Sequence, residues 1–464
     1  MSADPQTLAL DLTAQRTLLA SRELSSEALV AQTLEAIAAS QPVLNAYLSL
    51  DADAALSAAR ECDARLAAGS ARALEGLPVA IKDNLDVAGM RTTAGMATRR
   101  DAPAATADST AVARLREAGA VILGKLNMHE AALGADNDNP HFGACRNPHR
   151  PTHTPGGSSG GSGAAVAAAL CSAALGTDSM GSVRIPAAYC GVAGLKPGRG
   201  VVSTRGSVEL SRRLDHVGPL ARSARDLRPL LQVLAGFDAD SAQSRAIAFS
   251  DVADRPLRLG VIDFAGSVDS DAEVQRVFDA GLRTLLDLGH ARVDLPGPAL
   301  APGKARRAGL LVCEAELLIE HAADWQAHRD RFSPQLAAMM AWAEGKTAAD
   351  FVAADRVLDA AQVLLLHWLA RCDVIVAPTT PQQAFAFGEA IPANQADYTC
   401  YANIAGVPAL SVPMPVGDGE LPVGLQLIGR EGSELQLIAL AEAFEQAHAQ
   451  VWRLPEACRQ WWPA

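Results

Sequence analysis

Apolar and polar positions alternate along the chain in two periods. One is near 3.6 residues, as on an amphipathic helix, and the other is the short solid apolar run of a buried strand. From about Ser25 to Ala39, Val30, Leu34 and Ile37 fall on one helical face. "GLPVAIKDNLDV" follows, with a solid run, Val79 to Lys82, that predicts a strand ending in a turn. "DSTAVARLREAGAVILGKLN" predicts a capped helix and then a strand, Ala120 to Leu123. A strand, a helix and a second strand in that order predict a βαβ unit and a parallel pair. "GSGAAVAAALCSAALGTD" predicts a tightly packed helix and a short buried strand.

The second half repeats the style. Leu257 to Phe264 reads as a strand and the segment from Ser270 as an amphipathic helix. "CDVIVAPTT" and "PALSVPM" read as buried strands, and "SELQLIALAEAFEQA" as a late helix. Gly236 to Pro256 is the expected surface connection between the halves.

Composition narrows the class. The chain has 464 residues, 49% hydrophobic and 20% charged, with a formal net charge of −12. That is ample material for a large α/β core. An acidic chain without a basic run argues against nucleic acid as a partner. No apolar stretch approaches the ~20 residues of a membrane-spanning helix, and "MSADPQTLAL" does not read as a signal peptide. Eight scattered cysteines without a CxxC pair suggest reduced thiols in a cytoplasmic protein.

Lysine usage carries more chemistry. Of 40 basic residues only five are lysines: Lys82, Lys125, Lys196, Lys304 and Lys346. A buried lysine can give up its proton where arginine cannot. Lys82, at the end of an apolar strand, is the candidate base.

The loop "TPGGSSGGSGAA", Thr154 to Ala165, admits several readings. A phosphate loop would need a lysine and a hydroxyl directly after its glycines, and a dinucleotide fingerprint would need a strand before them; neither is present. Gly156 to Gly160 formally satisfies G-x-S-x-G, but the preceding strand is again missing. Of the later histidines only His216 has a suitable context for such a nucleophile elbow. His149 and His153 are separated by Pro151 and cannot share a helical face as metal ligands. A second serine, Ser182 in "GTDSMGSVRIP", follows a buried strand, with Asp178 and Arg184 placed to pair across the turn. Two serines and a desolvated lysine would make a base, relay and nucleophile.

Three segments in order, "GLPVAIKDNLDVAG", "PGGSSGGSGAAVAA" and "GTDSMGSVRIPAAYCGVAGLKP", resemble the amidase signature family. The two serines lie 24 positions apart, as that resemblance requires. It extends over about 25–235 and 370–445, and 240–360 is not diagnostic. It implies an α/β amidase-signature fold: a large mixed β-sheet covered by helices on both faces. It implies one amidase domain over 1–464, with a signature core at about 70–235 and a variable, substrate-determining segment at about 240–360.

By the same resemblance Ser182 would be the nucleophile, Ser158 the bridging residue after a cis Gly157–Ser158 peptide, and Lys82 the base. Backbone N–H groups of residues 179–182 would form the oxyanion hole, so Ser179, Met180 and Gly181 belong to the substrate site. Ser159, Thr177, Asp178 and Arg184 would support it. No metal or organic cofactor is implied. The family often has glycine where this chain has Met180, so the expectation is a negative φ there, with the side chain lining the acyl pocket.

The expected activity is hydrolysis of a small-molecule carboxamide to acid plus ammonia or amine through an acyl-Ser182. The expected partner is that small amide alone, without nucleic acid or membrane, and with a homodimer as the candidate assembly. The alternative is the A subunit of a glutamine-dependent tRNA amidotransferase. Such subunits carry a tyrosine-rich stretch in their second half. This chain has only Tyr47, Tyr189, Tyr398 and Tyr401, which weighs against that alternative.

Overall fold

A computed structural model describes residues 6–448 and 452–461. Part of the segment read for a signal peptide, and the extremes of the 1–464 domain, lie outside those residues. Among the described residues eleven strands form one sheet. They are β1 (Tyr47–Leu50), β2 (Pro78–Lys82), β3 (Val121–Leu126), β4 (Ala173–Thr177), β5 (Ala193–Lys196), β6 (Val217–Ala221), β7 (Arg258–Ile262), β8 (Ala291–Leu295), β9 (Val374–Pro378), β10 (Ala409–Pro413) and β11 (Gly424–Ile428). Their order is β1-β3-β2-β4-β6-β5-β10-β11-β9-β7-β8.

The sheet is mixed, as expected. β2 is parallel to β3 and β4, and β7 is parallel to β8 and β9; the remaining pairs are antiparallel. The solid apolar runs are explained by burial on both faces. On β9, Val374 and Val376 enter one apolar cluster while Ile375 enters a second. On β10, Leu410 and Val412 divide from Ala409 in the same way. Successive side chains point to opposite faces, so each face of the sheet has its own layer against it.

Several boundaries differ from the expectation. β3 runs on to Leu126 and takes in Lys125, a charge that broke the apolar pattern. Lys125 is fully buried because Asp83 meets its Nζ at 2.9 Å, which satisfies the charge inside the strand. The first long helix continues from Ser26 to Leu44. The stretch between Leu234 and Arg258 holds no helix or strand, in keeping with a connection. The segment read as non-diagnostic is mostly helical, with helices at Pro302–Glu320, Pro334–Glu344 and Ala348–Arg371.

The glycine-rich loop feeds the helix Gly160–Ala167. A Cβ on Gly161 would stand 2.4 Å from the Asn127 carbonyl oxygen, so only glycine lets this helix start so close to the end of β3.

Candidate active site

Adjacent strands supply the centre of the site. β2 ends with Lys82 and its parallel neighbour β4 ends with Thr177, so both side chains emerge at the same rim of the sheet. Lys82 is fully buried. Its Nζ lies 2.7 Å from Ser158 Oγ, 2.8 Å from Thr177 Oγ1 and 3.4 Å from the Thr177 carbonyl. Asn84 Nδ2 also donates to Thr177 Oγ1, at 3.1 Å, and so fills the second acceptor site of that hydroxyl. Burial lowers the Lys82 pKa to about 7, against the opposing pull of the Asp215 and Asp178 charges.

Ser158 follows a cis Gly157–Ser158 peptide. Its carbonyl accepts from His129 N at 3.0 Å. Ser159 N donates to the Ser182 carbonyl at 3.2 Å, which ties the two serine loops together. Ser159 Oγ donates to the Thr177 carbonyl at 3.1 Å.

Asp178 organises the loop that carries Ser182. Its carboxylate accepts from Gly181 N at 2.6 Å and from Val183 N at 3.2 Å. These bonds hold the chain where the helix Arg184–Cys190 begins, a position at which a carboxylate satisfies free N–H groups. Arg184 then meets the carboxylate twice, through Nε and Nη2, each at 3.0 Å. Asp178 and Arg184 are both fully buried. Burial alone would raise the Asp178 pKa, but the Arg184 charge and hydrogen bonds outweigh it and hold the carboxyl well below the usual range. The pairing expected across this turn is present.

Residues from the far half of the sequence complete the clamp, and sequence reasoning missed them. Asn403 Nδ2 donates to the Asp178 carbonyl and carboxylate, each at 2.8 Å. Arg184 Nη1 donates to Gln426 Oε1 at 2.6 Å. Thr399 Oγ1 donates to the Met180 carbonyl at 2.6 Å. Ser179 Oγ donates to Asp215, which is buried and whose pKa is raised by that burial to about 6. The only signal in the sequence for these groups was their place: Asp215 precedes His216, and Thr399, Asn403 and Gln426 lie within 370–445, where the family resemblance extends.

Met180 has a negative φ, and Gly181 after it takes φ +140°. Met180 faces Gly309, where a built Cβ would come within 3.1 Å of the methionine Sδ and Cε. Ser182 is half-buried and, with Ser179, Met180 and Ile185, lines a cavity of about 330 Å³. The far wall of that cavity includes Arg306, Leu310, Gln335 and Met339, all from the segment that carried no signature. His216, the histidine left for a nucleophile elbow, bonds the Leu214 carbonyl at 2.7 Å and reaches neither serine. A Ser–His reading therefore has no support.

This geometry sits within a known sequence pattern. The family model described as Amidase matches residues 28–438. The chain belongs to the amidase signature family. It is an enzyme acting on amide C–N bonds. A solved amidase structure is 33% identical, with a TM-score of 0.85, over 94% of this chain and 99% of its own. The A subunit of the glutamyl-tRNA(Gln) amidotransferase from Desulforapulum autotrophicum is 35% identical, over 94% of this chain and 97% of its own length. The solved structure of the corresponding A subunit from Thermotoga maritima is 29% identical, with a TM-score of 0.80, over 98% of this chain and all of that one.

These relatives correct two expectations. The hydrolase of a free small-molecule carboxamide gives way to the alternative, the tRNA amidotransferase subunit, because near full-length likeness to such subunits outweighs a tyrosine count. The partner expectation, a small amide without nucleic acid and with a homodimer as assembly, falls with it. Two of these relatives are named as the A subunit of a glutamyl-tRNA(Gln) amidotransferase. A net charge of −12 describes the whole surface of this chain and is silent on a nucleic acid engaged by an assembly. Among the described residues no helix is long and apolar enough to cross a membrane.

Proposed function

We propose that this chain is the A subunit of a glutamine-dependent tRNA amidotransferase and that it releases ammonia from glutamine. The observation that carries this reading is the likeness to such subunits over 94% of the chain. The chemistry is supported by a buried Lys82 whose Nζ has Ser158 Oγ at 2.7 Å. Ser182 Oγ attacks the side-chain carboxamide carbon. Its proton passes to Ser158 as the Ser158 proton passes to neutral Lys82. N–H groups of residues 179–182 take the oxyanion. The C–N bond then breaks and the relayed proton goes to the leaving nitrogen, giving ammonia and a glutamyl ester of Ser182. Water hydrolyses the ester to glutamate. The ammonia then attacks the side-chain carboxyl carbon of the glutamyl group carried by tRNA, after that carboxylate has been activated as an acyl phosphate by ATP in the assembly, and phosphate leaves as the amide forms.

Helices from 302–344 contribute to the far wall of the cavity, which supports the segment at about 240–360 as the substrate-determining part of one amidase domain. Eight free, buried cysteines support a reducing, cytoplasmic setting.

The test is reconstitution of the chain with the other subunits of the assembly. With ATP present to activate the glutamyl carboxylate, glutamine should drive conversion of glutamyl-tRNA(Gln) to glutaminyl-tRNA(Gln). Ser182→Ala should abolish that conversion with glutamine but leave it intact with an ammonium salt as donor. An assembly that converts no glutamyl-tRNA with either donor would overturn the reading.

A further inference from the structure

The cavity beside Ser182 is mostly apolar, with Leu133, Ile185, Leu310 and Met339 among its walls. Besides Ser182, its uncharged polar residues include Ser179, Gln335 and Gln395. One charged side chain lines it, Arg306, from the helix Pro302–Glu320. A guanidinium remains charged at any working pH. Placing it in an apolar wall is unfavourable unless the charge is met. Arg306 is met on one side only: Nε donates to Asp397 Oδ1 at 2.7 Å. Among the described residues its two terminal nitrogens have no acceptor in the chain, and their planar arrangement fits a carboxylate.

Asp397 holds this guanidinium in register with the reacting centre. It lies two positions before Thr399, the residue whose hydroxyl holds the Met180 carbonyl. Asp397 itself is buried and does not line the cavity, and no other carboxylate does. The cavity therefore offers a cation for an anionic group and no anion for a cationic one. Its volume of about 330 Å³ suits an acyl group of a few carbons.

We infer that Arg306 is the specificity-determining residue of the cavity and takes the free carboxylate of the substrate. The substrate class is then the monoamides of short dicarboxylic acids, read by their anion and not by an ammonium group. This rests on the proposed glutaminase reading only in that glutamine is one member of the class.

The test is steady-state ammonia release by the full chain assembled with its partner subunits. Glutamine, glutaramate (the same molecule without its amino group) and neutral valeramide are compared. Glutaramate should reach a kcat/KM within about tenfold of glutamine, and valeramide should fall about 100-fold below it, as expected for loss of a charged hydrogen bond. R306Q should lower kcat/KM for glutaramate by about 10–100-fold, mainly through KM, and leave valeramide nearly unchanged. R306K keeps the charge and the contact with Asp397 but not the fork, and should fall between the two. This variant carries the test if R306Q does not fold.

Equal turnover of glutaramate and valeramide by the wild type would overturn the inference. So would an equal loss on both amides in R306Q or R306K, which marks a purely structural role. Turnover of glutaramate without turnover of glutamine would uphold Arg306 as the anion reader while refuting the glutaminase reading.

Discussion

Lys82 donates to both oxygens of Thr177, to Oγ1 at 2.8 Å and to the carbonyl at 3.4 Å. A neutral amine has two N–H donors and one lone pair. With both donors turned to Thr177, the lone pair is left for the Ser158 hydroxyl at 2.7 Å. Thr177 thus orients the base. Thr177→Val keeps the shape but leaves buried donors of Lys82 and Asn84 unpaired. It should lower kcat by about 10–100-fold with a smaller change in KM, while Thr177→Ser retains most of the activity. Equal kinetics for the valine and serine variants would refute this role.

The pH dependence follows from burial of the same lysine. Its pKa lies near 7 instead of the usual 10.5, so the reactive neutral form grows as pH rises through about 7. Glutaminase kcat/KM should therefore climb with pH and level off above that value. Lys82→Arg keeps the charge but cannot release a proton at any of these pH values and should be nearly inactive throughout. A profile that is flat from about pH 5 to 9, with the chemical step rate-limiting, contradicts the assignment.

Ser182→Ala should abolish glutaminase turnover, and Ser158→Ala and Lys82→Ala should each lower it by orders of magnitude. Groups that act as a unit are not additive. The double variant Lys82→Ala with Ser158→Ala should lose little beyond the worse single variant, as measured by ammonia release. Multiplying losses would show that the two act separately.

Met180 tests what holds the loop proposed to take the oxyanion. The loop is pinned through Asp178 to Gly181 N and through Thr399 to the Met180 carbonyl, neither of which involves the methionine side chain. Met180→Gly should enlarge the cavity and change KM and acyl preference, with kcat held within about tenfold. A uniform fall of about 100-fold on both a small and a bulky amide would mean that the side chain itself positions the N–H donors.

Gly181 is the opposite case. At φ +140° a built Cβ would stand 2.5 Å from Thr399 Oγ1. Gly181→Ala should therefore break the Thr399–Met180 contact and strain the backbone. Lower thermal stability and loss of most activity are expected, and unchanged melting and turnover would refute that account.

Much of the fold was legible because it rests on local pattern, whereas the grouping of Lys82 with the two serines came only from the family resemblance. Solid apolar runs marked most of the strands, and a lysine at the end of one, in a chain that otherwise prefers arginine, marked the candidate base. Lys125 hid the end of β3 because its ion pair with Asp83 is invisible before the chain folds. Arg306 was illegible for a similar reason. It resembles any helical arginine until Asp397, 91 positions later, fixes it beside the cavity. Tyrosine content pointed away from the reading that near full-length likeness to amidotransferase A subunits supports, because it judges the chain by one residue type.

The order of strands has a temporal side. Strands β1 to β6, all from residues before 222, form one half of the sheet, and β7 to β11 form the other; they join only where β5 meets β10. Lys82, Ser158 and Ser182 all belong to the half that leaves the ribosome first. The groups that brace the Ser182 loop, Thr399, Asn403 and Gln426, belong to the last part made. The nascent chain therefore carries Lys82, Ser158 and Ser182 for more than half of its synthesis with the Ser182 loop braced only from within, by Asp178 and Arg184. The outer clamp closes with β11, once Gln426 reaches Arg184, and so is complete only in an essentially finished molecule.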